Sequence, residues 1–251
     1  MAAERVLSTL AAAARGCDCI ALSGGVDTSV VALAARLVGQ RLRGFTSYYT
    51  HGTPRDLPYA RHVAGVLGIE LHEAQVDNGY ISSRAGLVAR CTGRRDHVEL
   101  RNDVVFLRTL EEARAAGCRC ILLGDGGDEV FAGYSFMLLL GSRELREAII
   151  RMATRGRYPG LELAGCIGLE ARAPLLSDEA VEAALSVPVE CLRGPLNTGK
   201  WLLRLILAGH GLRLVAERPK TPAEAGAGTE KLGRRRLEQL VGMELPDCPC
   251  P

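Results

Sequence analysis

Lysine is nearly missing from this chain: of 31 Lys plus Arg residues, only Lys200, Lys220 and Lys231 are lysine. Lysine is a compact point charge whose pKa shifts readily, and arginine does not replace it in that role. A lysine that survives such a bias is therefore a candidate for chemistry needing an ammonium group, with chance survival as the plain alternative. Long apolar runs are absent too. None reaches the ~18 residues that a membrane span requires, so no membrane partner is expected. Charge of one sign is also lacking. A formal net charge of +2 gives no strong electrostatic case for nucleic acid, and the run Arg234-Arg235-Arg236 reads as a solvated helix face. The Ala-rich opening, Met1 to Arg15, carries Glu4 and Arg5 and mixes polar with apolar residues. It reads as a helix and not as a signal peptide, which makes the cytoplasm the expected location.

What is present suits a globular enzyme-sized chain. With 251 residues and 47 % apolar composition, the chain can fill one large core, or a core with a small appendage. Short apolar runs at Cys19–Leu22, Leu42–Ser47, Ile69–Val76 and Cys120–Leu123 alternate with helical patterns at Thr28–Val38, Asp56–Leu67 and Asn102–Ala116. Such alternation predicts an α/β fold, a parallel sheet with right-handed crossovers and flanking helices. Ligands of such sheets bind at the carboxyl ends of the strands. The second half reads as mainly helical, over Asp128–Leu140, Ser142–Thr154, Asp178–Leu185 and Gly199–Ala208, with a Pro-rich tail from Pro246.

Two glycine-rich turns stand out because they follow similar strands. Gly16–Gly25 (GCDCIALSGG) resembles Gly117–Gly126 (GCRCILLGDG), so both strand ends are expected to face one crevice. In the first, Ser23-Gly24-Gly25-Val26-Asp27-Thr28-Ser29 opens a helix. Its hydroxyls and helix-start N–H groups suit a pyrophosphate. Asp27 would repel phosphate unless a cation such as Mg lies between them; the plain alternative makes Asp27 a helix N-cap. No Gly-Lys-Thr/Ser follows, so this is not a Walker loop.

SGGVDTS resembles the PP-loop signature of the ATP pyrophosphatases. Gly124–Tyr134 (GDGGDEVFAGY) then resembles the second loop of the asparagine synthetase synthetase domain. Three further blocks match in order: Gly52–Asp56 with Ala60, Gly68 and His72; Gly168–Leu176 (GLEARAPLL); and Lys200–Arg204 followed by Arg218, Lys220 and Gly226. The resemblance implies a single synthetase domain, with a nucleotide-binding core at about 16–140, a helical substrate part at about 141–230 and a tail at 246–251. It implies ATP contacts from Leu22, Ser23, Gly24, Gly25, Asp27, Thr28, Ser29, Ser47 and Gly124, and Mg at Asp27 and Asp128. Catalytic roles fall on Lys200, Lys220, Asp125, Tyr134 and Glu170. The implied reaction adenylates a carboxylate (by default aspartate), releases pyrophosphate and forms an amide. Two of the three lysines fall at the family's lysine positions, which favours function over chance.

Departures from the pattern qualify that expectation. The chain has no room for a glutaminase domain with an N-terminal cysteine, so ammonia, another amine or a separate glutaminase subunit is the expected nitrogen source. A homodimer is left open. The family's P-F-L-D reads Pro174-Leu175-Leu176-Ser177, with Asp178 one place late, and the compact stretch between Tyr134 and Gly168 suggests a trimmed substrate lobe.

The remaining residues have plainer readings. His51, His62, His97 and His210 read as structural or surface residues, Arg94 and Arg95 as solvated, and Trp201 as core. The pairs Cys17-Cys19 and Cys118-Cys120 are expected on one face of neighbouring strands. The first reading makes them small buried hydrophobes; a bridge from residue 17 to 118 and a metal site are the alternatives. A tRNA-modifying PP-loop enzyme, of thiolation type, and a non-catalytic ATP-binding protein are the rival functions.

Overall fold

Strand β1 (Cys19–Ala21) follows an opening helix α1 (Ala2–Ala14), and from there strands and helices alternate in a computed structural model describing residues 2–242 and 244–245. The order continues α2 (Val26–Leu37), β2 (Arg43–Tyr49), α3 (Leu57–Leu67), β3 (Glu70–Val76), α4 (Asn78–Thr92), α5 (His97–Ala115) and β4 (Cys120–Leu122). After β4 come α6 (Gly127–Val130), a 3₁₀ turn at Ser135–Leu139, α7 (Ser142–Arg155), α8 (Pro159–Cys166), β5 (Glu170–Arg172), α9 (Asp178–Ser186) and α10 (Val189–Leu192). A hairpin, β6 (Arg193–Gly194) with β7 (Thr198–Gly199), leads to α11 (Trp201–Gly209), α12 (Arg213–Ala216), α13 (Ala223–Ala227) and α14 (Arg234–Val241). The expected tail at 246–251, with Cys248 and Cys250, lies outside the described residues.

The five-stranded sheet runs β3-β2-β1-β4-β5, and every neighbouring pair is parallel. β1 and β4 are wholly buried, which is why they read as unbroken apolar runs. At one edge β5 is only three residues long and exposes Glu170 and Arg172, a short charged edge that resists further pairing. From β1 the chain builds β2 and β3 outward on one side, then returns to place β4 on the other. That reversal opens a crevice between the carboxyl ends of β1 and β4. A separate apolar core covers each face: Leu10, Val30 and Leu203 belong to one, Leu100, Leu107 and Leu163 to the other.

Several expectations are corrected. The helix expected over Asp128–Leu140 stops at Val130, because Ala132 takes a left-handed φ of 55° and the chain turns into the crevice. α5 begins five residues before Asn102, since the Asp96 carboxylate accepts the N–H groups of Val98 and Glu99. Asp77 caps the unanticipated α4 in the same way. Trp201 is half-buried, packed over Gly194. Arg94 is held by Glu99 at 3.5 Å and by the Arg157 carbonyl at 3.3 Å, so it is not freely solvated.

The cysteines give the largest correction. Cys17–Cys120 and Cys19–Cys118 form disulfides, with Cα separations of 4.4 and 6.0 Å, and Cys91–Cys166 ties α4 to α8 at 5.8 Å. The two strands are neighbours as expected, yet the pairs do not share a face. Cys17 precedes β1, just after Gly16 with φ 87°, so strand alternation does not extend to it. Cys17 and Cys120 join one core, and Cys19 and Cys118 join the other.

Candidate functional site

The crevice at the β1/β4 reversal holds a cavity of about 500 Å³, within the usual range for a small-molecule site. Its floor is the Ser23–Thr28 turn. Gly24 sits at φ 73°, where a Cβ would overlap the backbone of Tyr59 and Ala60, so only glycine lets the turn press against α3. Gly25 caps α2 without a side-chain acceptor. The first N–H groups of that helix are thereby left for an anion. Ser23 Oγ lies 3.2 Å from Thr28 Oγ1 and accepts the Gly25 N–H.

Lys200 joins the two motifs. Its Nζ donates to Asp27 Oδ2 at 2.6 Å and lies 2.9 Å from Asp128 Oδ1. Lys220 donates to the same Asp128 oxygen at 2.8 Å and to the Gly133 carbonyl at 3.2 Å. Lys200 is only 7 % exposed and is held at φ 59° at the start of α11, with its N–H on the Phe131 carbonyl. A left-handed lysine carries strain, of the kind that clusters at functional sites. Gly133 is obligatory beside it, since a Cβ there would overlap Asp128 and Lys200 Cε.

The charges of this group are unequal. Burial alone would lower Lys200, but Asp27 and Asp128 outweigh it and hold the ammonium charged. For Asp128 burial is likewise overcome, by Lys200 and Lys220, and its carboxyl stays below the ordinary range. Asp27 is raised by burial, with the charges of Asp128 and Glu129 adding and Lys200 only partly offsetting them. Asp27 Oδ1 is buried without a partner. An orphaned hard oxygen on Asp27, beside the Asp128 carboxylate, fits Mg, which commonly takes one or two carboxylates plus substrate phosphates. No group of three or more metal-ligating side chains occurs among the described residues, so a cation held here would rest on these two carboxylates together with oxygens of its substrate.

Most of the expected site residues meet here. Leu22, Ser23, Gly25, Asp27, Thr28, Ser47, Gly124, Asp125, Asp128, Lys200 and Lys220 all line the cavity. Four expected residues do not, Gly24 among them, since it packs against the backbone of Tyr59 and Ala60. Ser29 is fully buried inside α2 with its hydroxyl unpartnered. Tyr134 lies outside the lining; its hydroxyl donates to Glu129 at 2.5 Å and its ring sits 4.6 Å beneath Lys220 Nζ. Glu170 is an exposed residue paired with Arg172, in register with Cys120 at the start of β4. The crevice is at the other end of that strand, so Glu170 cannot reach it. Ser177 caps α9 through the Ala180 N–H, which spends the departure from P-F-L-D on helix initiation.

The site also recruits residues whose type and spacing announce no role. Arg218 pairs with Asp56, donates to the Gly24 carbonyl at 3.3 Å and lies over the Tyr59 ring at 4.1 Å. Asp103 lines the cavity, is 6 % exposed and has an unpartnered Oδ2. Its only sequence signal is an acid three residues after Leu100, on the apolar face of α5.

Burial pushes the Asp103 carboxyl up to about 7, opposed by Arg94 and aided by Glu99, Asp96 and Glu162. A raised folded pKa means the native state keeps a proton that the unfolded chain releases. Stability from this group therefore falls as pH rises from the ordinary carboxylate range to about 7. Asp103→Asn should accordingly stabilise the protein at pH 8, by about 1–3 kcal/mol after solvent relaxation, with little gain at pH 4. Urea unfolding at the two pH values checks this; an equal effect at both would contradict it.

The comparisons agree with this geometry. The asparagine synthase family model matches residues 18–163 and 162–247. A candidate glutamine-hydrolyzing asparagine synthetase of Methanocaldococcus jannaschii is 26 % identical over 261 aligned positions, covering 87 % of this chain and 47 % of that protein. The glutamine-hydrolyzing asparagine synthetase of Sandersonia aurantiaca is 28 % identical over 209, covering 74 % of this chain and 38 % of that one. The chain thus spans less than half the length of these relatives. Among solved structures, the NMN synthetase of Francisella tularensis superposes with a TM-score of 0.50 at 13 % identity, over 98 % of this chain and 87 % of that one, a likeness of fold alone. With nearly the whole chain matched by one family model and its motifs gathered at one crevice, the chain belongs to the asparagine synthase family.

Proposed function

We propose that this chain binds ATP in the β1/β4 crevice, adenylates a small carboxylate with release of pyrophosphate, and passes the acyl group to a nitrogen nucleophile to form an amide. Aspartate is the default acceptor. Ammonia, either free or delivered by a separate glutaminase subunit, is the default nucleophile. One observation carries the reading: Lys200 binds Asp27 of the first loop and Asp128 of the second while Lys220 sits on the same Asp128. In this reading both scarce lysines would offset the negative charge that builds on the α-phosphate and on departing pyrophosphate.

The roles follow from the positions. The free N–H groups at the start of α2, with Ser23 and Thr28, would hold the pyrophosphate portion. Asp27 and Asp128 would hold Mg, which supplies charge neutralisation to the phosphates when bound. The two lysines leave most of the catalysis to positioning and electrostatics. Arg218, braced by Asp56, fixes the wall from which Lys220 projects.

ATP–pyrophosphate exchange with aspartate tests the first half of the reaction. The wild type should exchange, and Asp27→Asn or Asp128→Asn should lose at least ~10²-fold while keeping the far-UV and near-UV CD of the native fold. Full exchange in either variant would remove the assignment. In the second half-reaction, ammonium should yield amide from the purified chain, whereas glutamine alone should not.

A further inference from the structure

The cavity has two chemically different walls. All four of its lining cations, Lys200, Arg204, Arg218 and Lys220, come from one stretch of chain on one side. Of its five carboxylates, Asp27, Asp56 and Asp128 are matched to those cations. Asp103 and Asp125 are not. Each has one carboxylate oxygen buried without a partner, and the Leu161 N–H, acting on the Asp125 carboxyl, only partly offsets its burial. They share a wall built from α5 and the start of α8. Phe106, one turn along α5 from Asp103, and Asp125 both close on Gly160, where a Cβ would stand 3.0 Å from Phe106 Cε1 and 2.5 Å from Asp125 Oδ2. Among the described residues, no cation lines this wall. Arg94, which acts on both carboxyls, is committed to Glu99 and the Arg157 carbonyl.

A buried carboxylate without a partner is costly, and a local rule broken in this way marks a functional position. We propose that the α5–α8 wall is an ammonium subsite, in which Asp103 Oδ2, with Asp125 on the same wall, accepts N–H bonds from the cationic nitrogen of a substrate. An ammonium offers three donors and no acceptor, which matches two acceptor-only oxygens. Phosphate groups are steered to the opposite, cationic wall, so the two substrates are sorted by charge. The proposal rests on the amide-forming reading for its source of ammonium, which is either the nitrogen nucleophile or the α-ammonium of an amino-acid acceptor.

Kinetics of Asp103→Asn separate the sources, with hydroxylamine as a nucleophile that is largely uncharged at pH 8. If the subsite serves the nucleophile, KM for ammonium rises about tenfold or more while KM for hydroxylamine and kcat hold. If it serves the acceptor, KM for aspartate rises instead. Unchanged KM values for both, or a rise confined to ATP, would overturn the proposal. A readout without turnover uses thermal shift at pH 8. Methylammonium chloride should stabilise the wild type more than potassium chloride at equal ionic strength, and this difference should vanish in Asp103→Asn. Equal shifts from both salts overturn the subsite. Methylammonium binding that depends on Asp103, in a protein that forms no amide, keeps the subsite and rejects the reaction. Should Asp103→Asn fail to fold, Asp103→Ser serves both assays.

Discussion

Full reduction of the purified protein with a phosphine should lower its thermal midpoint by about 10 °C or more. Cys17–Cys120 and Cys19–Cys118 close loops with sequence separations of 103 and 99. The chain-entropy estimate for one such loop is about 4–5 kcal/mol, and 1 kcal/mol is worth about 2–4 °C in a protein of this size. The two bridges tie the same strand starts, so their effects do not add: once one is closed, the other closes only a few residues more. Cys17→Ser with Cys120→Ser should therefore cost little, whereas removing all four cysteines should cost nearly the full amount. Thiol titration of the denatured, unreduced protein should find no more than three of the nine cysteines reactive. Equal midpoints with and without reductant would count against bridged strands. Such bridges suit an oxidising compartment, or the cytosol of a hyperthermophile.

Lys200→Met should be the most damaging single change in the crevice. It leaves Asp27 and Asp128 facing each other in a buried site with no cation bonded to Asp27 and only Lys220 bonded to Asp128, while Arg204 acts from further off, and stranding a buried charge costs about 3–5 kcal/mol. Pyrophosphate exchange should fall by about 10²–10³-fold. The pH dependence tells charge from packing. Without Lys200 the two carboxyls gain proton affinity in the folded state, so the lost stability should return as pH falls from 8 to 5. A deficit that is the same at both values would make Lys200 a packing residue. Adding Asp27→Asn to Lys200→Met should recover stability but not exchange. Lys200→Arg should fail as well, because Gly133 already touches the lysine stem. Lys220, whose side chain is half exposed, has room for arginine, so its need for lysine rests on the compactness of the charge and not on space.

Much of this was legible in the residues. The runs Cys19–Leu22 and Cys120–Leu123 announced buried parallel strands, because strands covered on both faces have no polar alternation to confuse them. The turns that follow announced one crevice, since both combine glycines with an acid at the end of similar strands, and the first adds hydroxyl groups. β5 was not legible: three residues with charges at both ends carry no periodicity, and only pairing with β4 makes them a strand. Glu170 was misplaced for the same reason, as its motif says nothing about which end of the strand it occupies.

The sequence by itself determined the layered α/β plan and the two glycine-rich turns of one crevice, and it singled out Lys200, because these depend on local pattern and on scarcity. Tertiary structure alone decided which partners meet. It crossed Cys17 with Cys120 through the turn at Gly16, set Lys200 between carboxylates 173 and 72 positions away in the chain, and left Asp103 without a cation. Each of those outcomes depends on distances between segments remote in the chain, and local propensity contains no such distances.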